Sequence, residues 1–295
     1  MQKKLLGPTL AALIAVILFS TGGLCIKRLD LSALAIAGFR AMVSAFFIGL
    51  YLVHKSKTYK LPKISRTGWL AAASYAVMTT TYVLSMKMTT AANAIFLQST
   101  MPAWVLIGGA IWLRESITRS RLITIAFCTF GMMLFFIDEL SPRQWQGNMF
   151  ALVSGASYAL LVLALRKDRH SNPNGAVFWG NAVTAILVIP VALLLFPDTL
   201  SLLTGWRTWI GLLWLGIFQI GLAYLLFVYA LKYLPAIEVA IITLVEPLLN
   251  PFWVYLDIGE KPGQWAIIGG ILILFSVIIK SLMRETSKED LKVIE

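Results

Sequence analysis

Residues 236–256 read AIEVAIITLVEPLLNPFWVYL: an apolar run with Glu238 near its start, and near its middle one glutamate, Glu246, followed at once by Pro247. A run of this length matches the roughly 20 residues that a helix needs to cross a bilayer core about 30 Å thick. It is about twice the length of a barrel strand and lacks strict alternation, so a membrane barrel is disfavoured. Working outward, similar runs recur at about 5–26, 32–53, 68–86, 91–113, 119–137, 147–165, 176–196 and 208–230, and beyond it at 263–283. The expected fold is an all-α integral membrane protein with ten transmembrane helices. The longest connection, from His54 to Thr67, leaves no room for a soluble domain. Composition agrees: 59% of the 295 residues are hydrophobic and 13% charged, against about 25% charged in soluble domains. The mean hydropathy is +0.80. The first run follows Lys3 and Lys4 but is too long for a signal peptide and reads as a retained helix.

Basic residues set the expected orientation. With the N-terminus inside, the cytoplasmic segments hold 18 Lys and Arg and the opposite side holds 6, from Lys27 to Lys261, with Arg40 left inside a span. Both termini are therefore expected in the cytoplasm of a cell whose plasma membrane (a bacterial inner membrane) carries the chain. The formal charge of +11 becomes a topology signal, and nucleic acid is not an expected partner.

The two halves correspond. A shift of 145 residues lays Lys87 on Lys232, Ala91 on Ala236, Pro102 on Pro247 and Glu115 on Glu260. Upstream the shift is near 140, pairing Gly7 with Gly147 and Trp69 with Trp209, while Phe39 meets Phe178 at 139. Residues 1–138 and 139–295 are thus expected to be two repeats of five helices each. Five is odd, so the second half enters the membrane from the opposite side. That inverted repeat is common in secondary transporters, with the substrate site near the midplane between the halves.

The motifs of both halves resemble the drug/metabolite transporter superfamily in its EamA branch. In the first half they are Lys87 through Asn93, Ser99 through Pro102, Leu113-Arg114-Glu115 and a helix ending near Gly131. In the second they are Ala230 through Ala236, Leu244 through Pro247, Gly259-Glu260 and Gly269-Gly270. The resemblance covers nearly the whole chain and implies ten helices in a five-plus-five arrangement. It leans toward export of amino acids or related metabolites. Leu113-Arg114-Glu115 departs from it, lacking the glycine that Gly259 supplies before Glu260.

Charge inside a membrane is costly and marks a site by default. Arg40 and Glu246 lie well inside spans. Thr243, Glu246, Asn250 and Trp253 recur on one helical face. Pro247 lacks an N–H and frees the carbonyl of Thr243; Pro102 does the same for Gln98. Paired proline-interrupted helices point to a transporter site. Glu246 is a candidate to carry a proton or to face a cationic substrate group; the alternative is a structural carboxylate paired with Arg40 or a helix end. Arg40 is a snorkelling anchor, a partner of Glu246 or a carboxylate clamp. An arginine near this position is usual in the second helix of the resembling family. Glu115 and Glu260 sit at corresponding helix ends, where they are expected to cap loops or to pair with Arg119 and Lys261.

Aromatic faces attract organic cations and amides hold zwitterions, so further candidates for the cavity wall are drawn from five spans. The third offers Tyr75, Thr79 and Tyr82, the fourth Gln98 and Trp104, and the sixth Ser154 and Tyr158. The seventh offers Trp179 and Asn181, and the eighth Gln219 and Tyr224. For each, the competing role is an interfacial anchor or helix-to-helix glue.

An enzyme is disfavoured: the chain has no H-E-x-x-H, G-x-S-x-G or G-x-x-x-x-G-K-[ST]. His54 and His170 fall in loops, and Cys25 and Cys128 lie far apart in apolar runs, so neither a disulfide framework nor a metal site is expected. No cofactor is implied, and an ATP-driven pump would need a nucleotide domain. The expectation is a secondary carrier of a small polar organic solute working by alternating access, with protons the candidate coupling ion. Membrane lipid is its surroundings, and it is expected as a monomer or weak homodimer. The second reading is import or exchange of an organic cation or scarce metabolite; a passive channel ranks below both.

Overall fold

The computed structural model describes residues 2–57, 60–139 and 144–258, and beyond them only eight helical positions between 264 and 276. Among the described residues every regular element is a helix. The expected tenth span, Glu260 and the basic tail lie largely or wholly outside them, as does the side chain of Cys128.

The first span is α1 (Gln2–Ser20) and α2 (Gly22–Arg28). The chain bends between them where the hydroxyls of Ser20 and Thr21 donate to the carbonyls of Ile17 and Leu18, at 2.7 and 2.8 Å. Next come α3 (Ala33–Ser56) and α4 (Arg66–Met88), each opened by a serine whose side chain accepts a first-turn amide: Ser32 from Ala35 and Ser65 from Gly68. These caps satisfy N–H groups that a helix end leaves free. The fourth span divides into α5 (Ala91–Gln98), α6 (Met101–Gly108) and a π-helical turn, π1 (Gly109–Leu113). There follow α7 (Arg119–Glu139), α8 (Trp145–Lys167) and α9 (Pro173–Leu195), the last capped by Asn172. A short α10 (Thr199–Leu202) leads to α11 (Trp206–Leu213), a π-helical stretch π2 (Trp214–Leu222) and α12 (Ala223–Tyr233). The ninth span is α13 (Ala236–Thr243) and α14 (Glu246–Ile258).

Among the described residues, seven segments are long and apolar enough to cross a membrane. They coincide with the first, second, fourth, sixth, seventh, eighth and ninth expected spans. The third corresponds to α4, long enough at 23 residues but less apolar, and the fifth to α7, which contains the shorter apolar stretch Leu122–Gly131. For α4 the reason is its surroundings: it packs against α3, α8 and α9, and its buried faces carry Ser74, Tyr75, Thr79, Tyr82 and Ser85.

The packing pairs the halves. As α4 lies on α8, so α1 lies on α12; as α5 and α6 lie on α8, so α13 and α14 lie on α1. The contact of α4 with α9 has its counterpart in that of π2 with α3. At the centre α3 meets α9, α5 meets α14 and α6 meets α13. Alanine and glycine let the backbones approach, as they commonly do between helices in lipid. On α8, a Cβ at Gly155 would stand 2.8 Å from the carbonyl oxygen of Gln98.

Candidate functional site

Two helices break at corresponding places. Between α5 and α6 the chain turns through Ser99 and Thr100; between α13 and α14 it turns through Leu244 and Val245, each 145 residues after its counterpart. Pro102 and Pro247 cannot donate to the preceding turn, and the chain tightens ahead of each. The amide of Thr100 donates to Leu97 O at 3.3 Å, and that of Val245 to Ile242 O at 3.2 Å. Gln98 is left as the last residue of α5 and Glu246 as the first of α14.

Both side chains reach a cavity of about 30 Å³ that is also lined by Arg40, Tyr82, Tyr158, Gln219 and Tyr224. The volume suits about a pair of waters. Arg40 is 2% exposed. Its Nη2 donates to the hydroxyl (2.7 Å) and carbonyl (3.2 Å) of Thr79, and its Nη1 to Gln219 Oε1 at 3.3 Å. The guanidinium carbon stands 5.9 Å from the centre of the Tyr82 ring. Among the described residues no carboxylate pairs with Arg40, and Glu246 makes neither hydrogen bond nor ion pair. The guanidinium and the carboxyl group share one cavity without touching each other. Behind the wall, Gln98 Nε2 donates to Ser154 Oγ at 2.7 Å, and Ser154 donates to Met78 O at 3.0 Å. Tyr75 stacks edge-on against Tyr224 and donates to Asn181 Oδ1 at 2.9 Å.

Of the sequence candidates, Glu246, Gln98, Tyr82, Tyr158, Gln219, Tyr224 and Arg40 converge on this cavity, as does Thr79. Other candidates do not. Trp104 is 52% exposed on α6; one helical position decides whether a side chain faces the bundle or its surroundings, and here it faces out. Thr243 is buried in the break, its hydroxyl donating to Ala240 O at 2.6 Å. Asn250 lies one turn beyond Glu246, fully buried against Gly23, and its amide has no partner among the described residues. Trp179 instead donates to Pro62 O at 2.8 Å. Sequence reasoning missed Phe19, Met78 and Ile220 in the wall, apolar residues with no signal to set them apart.

It also missed π2, which carries Gln219. Gly216 and Gly221 both face α3: a Cβ at the first would stand 2.5 Å from Val43, at the second 2.5 Å from Phe47. In an α-helix, residues five apart point about 140° away from each other. In a π-helix, bonded i to i+5, they lie nearly over one another, and such turns gather at functional sites. The five-residue spacing of Gly211, Gly216 and Gly221 was the available signal.

Among the described residues, two ion pairs bridge the halves, one at each end. At one end Arg166 of α8 meets Glu115 at 3.3 Å, with the two side chains 6% and 13% exposed. Glu115 also accepts the amide of Ala236 at 3.0 Å, capping α13, and Arg166 donates to Leu231 O at 2.8 Å. The expected capping role of Glu115 is present, with Arg166 and not Arg119 as its ion-pair partner. At the other end Arg28 of α2 meets Asp257 of α14 at 2.6 Å, and these side chains are 59% and 35% exposed.

A model of the EamA-like transporter family matches residues 7–137 and, separately, residues 145–282. The chain belongs to the EamA-like transporter family. This EamA-like chain is 23% identical over 282 residues to an uncharacterized transporter, YxxF, of Bacillus subtilis (strain 168), spanning 93% of this chain and 89% of that one. An uncharacterized transporter of Archaeoglobus fulgidus is 28% identical over 252 residues, with 84% and 88% covered. A solved structure known only as a crystal structure of a protein shares the fold, with a TM-score of 0.78 at 15% identity over 95% of this chain and 99% of its own.

Proposed function

We propose that this EamA-like protein is a secondary carrier that moves a small polar organic solute, an amino acid or related metabolite, by alternating access, in the direction of export. The observation that carries the reading is the cavity at the paired helix breaks, built from both halves and holding a guanidinium and a carboxylate that do not neutralise each other. Such a pair complements the two ends of a zwitterion. The aromatic walls suit its organic part, and the absence of further charge disfavours a polyanion.

Ten spans in two inverted repeats, 1–138 and 139–295, with both termini cytoplasmic in a bacterial inner membrane, provide the frame. Support comes from the two separate family matches, the breaks 145 residues apart and the helix pairings that persist when the halves are exchanged. The ion pairs at the two ends act as gates: Arg166–Glu115 closes the cytoplasmic side and Arg28–Asp257 the outer one. The small cavity between two closed gates is what an occluded step requires. Glu246, unpaired at the start of α14, is the group assigned to coupling, with the proton as the coupling ion. The carrier works as a monomer or weak homodimer.

Counterflow in proteoliposomes loaded with amino acids tests the reading. Wild type exchanges label saturably, and Glu246→Gln abolishes coupled transport while the protein keeps its fold. Linear, non-saturating flux, or full transport by Glu246→Gln, refutes it.

A further inference from the structure

Resting on the carrier reading, we infer that Arg40 and Tyr82 form the subsite for a carboxylate of the transported solute, which makes that solute a monocarboxylate or a zwitterion and not a simple organic cation.

The inference comes from what Arg40 is given and what it is denied. Thr79 of α4 and Gln219 of π2 grip the guanidinium by its two terminal nitrogens. These gripping residues lie 140 residues apart, the offset that relates the upstream parts of the two halves. All three acceptors are neutral dipoles, which orient a guanidinium but leave its charge uncompensated. A buried cation without an anion is strongly unfavourable, and in a membrane such residues mark a solute path. On the cavity's own side chains, two buried polar atoms have no partner among the described residues: Nε of Arg40 and the hydroxyl of Tyr82. Both belong to side chains lining the cavity, and the Tyr82 ring lies beside the guanidinium.

A charged N–H donor and a phenol O–H match the two oxygens of a carboxylate, which only accepts when ionised. Charge-assisted bonds of this kind are about twice as strong as neutral ones. Glu246 does not fill the role, since it shares the cavity without reaching Arg40. It stands free for the opposite end of a zwitterion. A solute with two or more negative charges would leave its excess unpaired, because Arg40 is the cation of the cavity wall.

Fragment probes test the subsite without knowledge of the natural solute. Thermal unfolding of the purified full-length protein is followed against propionate and propionamide, with ionic strength held constant by sodium chloride. Propionate raises Tm saturably and propionamide does not. Tyr82→Phe, which removes one oxygen, weakens the apparent Kd for propionate about tenfold; Arg40→Gln abolishes the response. Equal stabilisation by both probes, no stabilisation by either, or an unchanged Kd in Tyr82→Phe overturns the subsite. Tyr82→Phe decides the matter even if Arg40→Gln fails to fold. Propionate binding without amino-acid counterflow would sink the amino-acid reading and leave the carboxylate subsite standing.

Discussion

Replacing Glu115 with glutamine is the most informative perturbation of the proposed gates. The carboxylate ties three elements together: it follows π1, pairs with Arg166 of α8 and caps α13 through the Ala236 amide. Removing one partner of a buried ion pair costs about 3–5 kcal/mol. Arg166 keeps its carbonyl acceptors at Leu231 and Lys232, and glutamine keeps one oxygen for Ala236, so about 2 kcal/mol is expected. That cost falls on the conformation closed at this end, and about 2 kcal/mol is a shift of about 30-fold in the open-to-closed ratio. The assay is thiol labelling at Leu234→Cys, a position 1% exposed in this structure, with Cys25 and Cys128 replaced by serine. Glu115→Gln should raise the labelling rate about 30-fold. At the other end the pair is open to solvent, where such bridges contribute about 1 kcal/mol or less. Asp257→Asn should therefore change labelling of a cysteine placed at Ser20 by about fivefold at most. A rate at position 234 that stays within about threefold of the parent, or a larger effect at the exposed pair, would refute the assignment of Glu115 as the stronger gate.

Three further outcomes follow from the packing. Gly155→Ala places a Cβ 2.8 Å from Gln98 O and 3.0 Å from Leu97 O; it should lower stability by about 1–3 kcal/mol, read as a fall in Tm with loss of transport. Tyr75→Phe leaves Asn181 Oδ1 buried without its donor, so Tm should fall as expected for about 1–3 kcal/mol; an unchanged Tm would show that the bond contributes nothing. Trp104→Ala, on an outward face, should leave the counterflow rate within about twofold of wild type, and abolished transport would return Trp104 to the site.

The sequence was most legible where a residue's own chemistry speaks. Length and hydropathy marked the spans because a bilayer demands apolar runs of fixed length. Pro102 and Pro247 marked the breaks because a proline withholds a backbone donor wherever it is placed. Glu246 and Arg40 stood out because charge is rare at that depth. The partners of these residues were less legible. Arg166 reads as one of many basic residues at a helix end, and Asp257 as an ordinary terminal acid; the fold joins them to Glu115 and Arg28 across the halves.

What only the tertiary structure decided is which way each helix faces. In water, an apolar stripe tells the inner face of a helix from the outer one. In lipid both surroundings are apolar, so the periodicity that would orient a helix is largely absent. Trp104 and Tyr158 are alike in sequence, yet one turns outward and the other lines the cavity. The π-helical register of π2 depends on glycines meeting Val43 and Phe47 of α3, a contact between distant segments. Local pattern determined that the chain crosses a membrane and where its helices break; packing between the halves determined that two of those breaks, one guanidinium and one carboxylate share a single cavity.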